Sequence, residues 1–117
     1  MRWSFLVVLC VTTACSRPGE AERERFVGRF LTSVRDDTDF SRGYMPDPSK
    51  IIEIRRRYPD ALTGAFRIVH RQDYGDGTFD YGTECGPNLV CVVYVTERDG
   101  SVLSADVTIQ SRPAWKR

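Results

Sequence analysis

The chain has 117 residues, of which 41% are hydrophobic and 28% charged. That is enough for one domain with a modest core, and too apolar for a disordered chain. Arg2 is the only charged side chain among the first fourteen positions, and the remainder balances sixteen basic against sixteen acidic residues. No global field argues for nucleic acid or an anionic surface, so no nucleic-acid partner is expected.

The N-terminal stretch MRWSFLVVLCVTTAC reads as a targeting segment. Arg2 supplies a short positive region, Phe5 to Val11 an apolar one, and Thr12, Thr13 and Ala14 the small residues before a cleavage point. The apolar run is too short to span a bilayer. Thr13-Ala14-Cys15 resembles the lipobox of bacterial lipoproteins, although Thr12 stands where leucine is usual. The resemblance implies a signal peptide over residues 1–14 and a lipid (palmitate-type) anchor on Cys15. Residues 15–20 would then be a tether, residues 21–112 the domain and residues 113–117 a tail. The implied location is the bacterial cell envelope, on the outer membrane facing the periplasm. An ordinary secretory signal cut near Ala14 or Ser16 would instead leave a soluble periplasmic or secreted protein.

Four cysteines divide under this reading. Cys10 leaves with the signal and Cys15 carries lipid. Cys85 and Cys91 remain as a pair that export permits to form a disulfide across a turn. CGPNLVC is not a CxxC redox motif, and His70 is the chain's one histidine, so no zinc set is available.

From Ala21 to Arg35 the residues Phe26, Val27, Phe30, Leu31 and Val34 form one apolar stripe on a helix. Glu20, Glu22 and Glu24 crowd its start and Arg35 its end, as the helix dipole prefers. Gly28 weakens this helix, and close approach to a sheet would explain it. Mixed charges on the polar face favour packing on a sheet over lying on a membrane. Asp36 to Pro46 lacks periodicity and reads as a loop whose Phe40, Tyr44 and Met45 fold back onto the body. Its carboxylates Asp36, Asp37 and Asp39 read as a solvated turn, because metal-loop spacing is missing. Asp47-Pro48 starts a second helix through Ile51, Ile52, Arg55 and Tyr58, and Pro59 stops it. Arg55, Arg56 and Arg57 fan around that helix and cannot form one phosphate patch.

Ala65 to Tyr74 alternates as a strand, with Phe66, Ile68 and His70 on one side. Gly75-Asp76-Gly77 turns the chain into Thr78 to Glu84, where Phe79 and Tyr81 share a face. DYGDGTFDYGTE has the composition of a calcium loop, but Gly75 and Gly77 occupy ligand positions. The final hairpin pairs Leu89–Arg98 with Ser101–Gln110 around Asp99-Gly100, a type I′ dipeptide. With Arg98 facing Ser101, Tyr94 meets Ala105 and Val92 meets Val107. That register expects Val90, Val92, Tyr94, Leu103, Ala105, Val107 and Ile109 on the buried face.

Chemistry-bearing motifs are scarce. No Ser/His/Asp motif, phosphate loop or metal set stands out, so we expect no catalytic residues, no metal, no cofactor and no enzyme. The expected fold is α+β: an N-terminal amphipathic helix and a shorter second one packed on a three- to four-stranded antiparallel meander. In element order this resembles the cystatin-like architecture and the small lipoproteins of outer-membrane assembly machinery; neither resemblance rests on a motif, and fold does not imply function. Two functions remain in view. One is a lipid-anchored accessory subunit, or an inhibitor or immunity protein of a periplasmic enzyme, acting through protein–protein contact. The other is a small-ligand binder with a pocket between helix and sheet.

Overall fold

A computed structural model describes residues 19–63 and 65–111. The expected signal peptide, Cys15, most of the expected tether and the expected tail lie outside the described residues. Helix α1 spans Glu20–Asp36, a single-turn α2 Asp39–Arg42, and α3 Lys50–Arg57. Strands β1 (Arg67–Asp73), β2 (Thr78–Gly86), β3 (Leu89–Arg98) and β4 (Ser101–Ser111) form one antiparallel sheet in the order β1-β2-β3-β4. The molecule is therefore α+β, with helices on one face of a meander.

Helix α1 follows its apolar stripe: Val27, Phe30, Leu31 and Val34 are at most 1% exposed. Each such burial contributes about 1.5–3 kcal/mol. Helix α1 ends where Asp37 takes the left-handed conformation, with φ 57°, and its N–H donates to the Ser33 carbonyl. The Ser33 hydroxyl then ties α1 to α2, accepting from the Ser41 N–H at 2.8 Å and meeting the Thr38 hydroxyl at 2.5 Å. Phe40, Tyr44 and Met45 do fold back onto the body. Phe26 meets Phe40 and Tyr44 at centroid distances of 5.7 and 4.9 Å, and Met45 is buried.

Ser49 is bonded through both its N–H and its hydroxyl to the Asp47 carboxylate, so Asp47 organises the entry to α3. That helix buries Ile51 and Ile54, whereas Ile52 is 65% exposed. A helix beginning at Lys50 turns Ile51 and Ile54, three apart, to the core and rotates Ile52 away. The segment before α3 also covers the outer edge of the sheet. The Ala105 N–H donates to the Tyr44 carbonyl at 3.0 Å, and Lys50 pairs with Asp106 at 3.2 Å. Edge donors covered in this way cannot template a foreign strand.

The last hairpin corrects the simple register. Asp99 and Gly100 both have positive φ, 54° and 80°, as a type I′ turn requires. Arg98 faces Ser101 and Glu97 faces Val102, but Thr96 then faces Ser104, leaving Leu103 as an extra residue. Beyond this bulge every pairing moves by one: Val95 meets Ala105, Val93 meets Val107 and Cys91 meets Ile109. The apolar set of β4 thus joins Cys91, Val93 and Val95 beneath the helices. Tyr94 and Leu103, expected inside, are 39% and 55% exposed and Val92 is half-buried, whereas Val90, Ala105 and Val107 keep their expected burial and Ile109 is partly buried. A bulge accomplishes this because one added residue flips the side-chain alternation of everything after it.

A second irregularity, between Ile68 and His70, sets Ile68 opposite Thr83 and His70 opposite Gly82. Ile68 and His70 therefore point to opposite faces rather than sharing one. At the β1–β2 turn Gly77 has φ +91°, and a Cβ there would sit 2.8 Å from the Glu97 carbonyl oxygen. Only glycine fits.

Candidate functional site

Two surface features and one disulfide comprise the polar architecture worth weighing. At the start of α1, Arg23 turns inward and is 9% exposed. Its guanidinium lies 4.0 Å from the Phe79 ring centre, donates to the Tyr81 hydroxyl at 3.1 Å and pairs with Glu97 at 3.3 Å. Burial pushes the Tyr81 phenol above its usual titration range, against the pull of the Arg23 cation. Beside this cluster an open cleft of about 300 Å3 is bordered by Glu20, Arg71 and Asp73. Arg71 pairs there with Glu24 at 2.5 Å. Each cation in the cleft already holds a carboxylate, so the cluster fastens the helix start to β2 and β3 and offers a ligand little unmet charge.

The second feature lies on the outer surface of α1. Arg25, Gly28, Arg29 and Thr32 line an open groove of about 600 Å3, with Phe40 and Phe66 among its walls and a mostly apolar exposed lining. The Arg29 guanidinium stacks 4.1 Å from the Phe40 ring centre. Gly28 does not mediate close packing on the sheet, as its place in the sequence suggested. An added Cβ would meet nothing within 4 Å. Arg35, Arg42, Arg55, Arg56, Arg67 and Arg71 each hold a carboxylate, whereas among the described residues no ion pair reaches Arg25 or Arg29.

The sequence singled out other residues, and the fold disperses them. Cys85 and Cys91 form the expected disulfide, with Cα atoms 5.9 Å apart, inside the range such bonds require. The bond does not lie near a sheet edge, however. It joins the two central strands at the bulge between Glu84 and Gly86, and both cysteines are buried in the core. The strand order explains the difference, since β1 and β4 flank β2 and β3 on either side. Asp36, Asp37 and Asp39 are taken up by Arg35, Arg42 and Arg55 rather than gathered around a cation. Asp73 accepts from the Gly75 N–H at 2.8 Å, and Asp76 accepts from the Thr78 N–H and hydroxyl at 3.1 and 2.6 Å. Those bonds hold the Asp76 carboxyl below its usual range and shape a turn. Among the described residues no three His, Cys, Asp or Glu side chains gather as metal ligands.

Arg55, Arg56 and Arg57 separate as expected, to Asp37, Glu53 and the Tyr58 ring. No described helix is long and apolar enough to cross a membrane. Thr83 is wholly buried, and among the described residues its hydroxyl has no hydrogen-bond partner.

The chain matches no family model, no curated protein and no solved structure. Sequence reasoning missed the groove because its polar members looked like an ordinary solvated helix face. The available signal was Arg25 and Arg29 one turn apart, with Glu22 at relieving spacing from Arg25 and no carboxylate three or four residues from Arg29.

Proposed function

We propose that this protein is lipid-anchored in the bacterial envelope through Cys15 and works by protein–protein contact, as an accessory subunit or as an inhibitor or immunity protein of a periplasmic enzyme. The observation that carries the reading is the outer groove on α1, an open, mostly apolar surface bordered by two arginines that no ion pair reaches among the described residues. The interior supports it too. Phe30, Leu31 and Val34 from the helix meet Val93 and Val107 from the sheet, all at 0% exposure. A small-ligand binder of the kind weighed from sequence needs its pocket in that same layer. The anchor rests on Thr13-Ala14-Cys15 and on the physics of acyl chains, several of which hold a protein firmly where one does not.

The test compares wild type with Cys15→Ala after cell fractionation. The wild type should partition with membranes, show the intact mass of a processed, acylated chain, and migrate after mild solubilisation in a complex larger than the monomer. Cys15→Ala should be released. An unmodified wild type that is soluble and solitary would sink the proposal.

A further inference from the structure

Two features of α1 cost the free protein stability without serving its interior. Gly28 sits mid-helix, where glycine is disfavoured, and its missing side chain accommodates no neighbour. Arg25 and Arg29 are like charges four residues apart, a spacing that places them side by side on the helix, and neither has an acidic partner among the described residues. Both features border the same groove, between Phe40 and Phe66; its one carboxylate among the lining residues, Asp36, is paired with Arg35. A large apolar side chain could occupy the space above Gly28, and carboxylates flanking it would meet both guanidinium groups.

We infer that this groove docks an acidic protein segment, one that presents an aromatic or large aliphatic side chain between carboxylates. The inference rests on the protein-contact reading above and names its surface and the chemistry of its partner. Phe40 and Phe66 would supply the apolar contact, and the two arginines the orientation and the on-rate. Docking through α1 also suits an anchor at Cys15, because the groove runs along the helix that begins five residues later in the sequence, at Glu20.

The probe is a synthetic peptide with one tryptophan between pairs of glutamates, titrated against the full-length chain in nanodiscs of zwitterionic lipid. Its counterpart carries lysines in place of the glutamates. The acidic peptide should bind, and more weakly as salt rises. Reversing both charges, Arg25→Glu with Arg29→Glu, should weaken it by about tenfold or more and reverse the preference between the two peptides. Gly28→Leu should block binding by filling the groove, while circular dichroism shows the variant folded.

No binding at millimolar peptide, or equal binding of both peptides, would overturn the inference. So would binding to vesicles rich in anionic lipid that needs Arg25 and Arg29 when the peptide does not bind, since the surface would then belong to a membrane. Failure here, combined with a partner captured elsewhere on the molecule, would remove the groove and leave the protein-contact reading intact.

Discussion

Replacing Gly28 with alanine should make this protein more stable. The residue lies mid-helix, about two turns from the start at Glu20 and two from the end at Asp36, so fraying does not dilute its effect. Glycine there costs about 0.5–1 kcal/mol relative to alanine, because it gives up more backbone freedom on folding. The added Cβ meets nothing within 4 Å, so it brings neither a clash nor much new packing, and the backbone term should dominate. For a domain of this size about 1 kcal/mol moves the melting temperature by roughly 4–8 °C, which gives an expected rise of about 2–8 °C. Urea unfolding followed by circular dichroism should show a higher midpoint with an unchanged slope, the signature of a stability change alone. A lower midpoint would refute the reasoning, because it would mean that Gly28 is needed by the fold rather than by what the groove receives.

Three other substitutions or conditions test the interior. Thr83→Val removes a buried hydroxyl without a partner while keeping the side chain's shape, and should stabilise by about 1 kcal/mol in denaturant titration; a loss would show that the hydroxyl is satisfied in solution. Reducing or replacing the Cys85–Cys91 pair, six residues apart, should lower stability by about 2 kcal/mol on the chain-entropy relation, with peptide mapping under non-reducing conditions first recovering the linked pair. The Tyr81 phenol is raised by burial, so its contribution is complete below the unfolded value near pH 10 and is lost as pH climbs toward the folded value. Tyr74 is pushed the same way by its bond to Asp80, so Tyr81→Phe should flatten, without abolishing, the fall in stability measured above about pH 10.

Helices α1 and α3 and the four strands were legible in the sequence because their burial patterns are local, whereas the single-turn α2, Asp39–Arg42, stands in a stretch that reads as a loop because one turn is too short to show a period. Phe26 to Val34 repeats as a helix must, and Asp99-Gly100 specifies its turn. The faces of the sheet were harder to read. Leu103 and the Ile68–His70 irregularity each insert or displace one residue, and nothing in the alternation of β4 marks where an extra residue stands. Ala105 and Val107 go inside as the alternation of β4 suggests, but only the helices above the sheet decide that Cys91, Val93 and Val95 join them in place of Val92 and Tyr94, and that is a tertiary choice. The groove was legible only as an unexplained cost, two arginines and a glycine on one helix face.

Site-specific photo-crosslinking in living cells tests the central claim most directly. A photoreactive residue would be placed at Thr32 within the groove, at Ile52 on α3 and at Thr108 on the far face of the sheet. Thr32 should give a discrete adduct with a protein partner, and Arg25→Glu with Arg29→Glu should erase it, while the other two positions stay silent. Adducts from Ile52 or Thr108 alone would contradict the groove, and no protein adduct from any of the three would contradict the interaction itself.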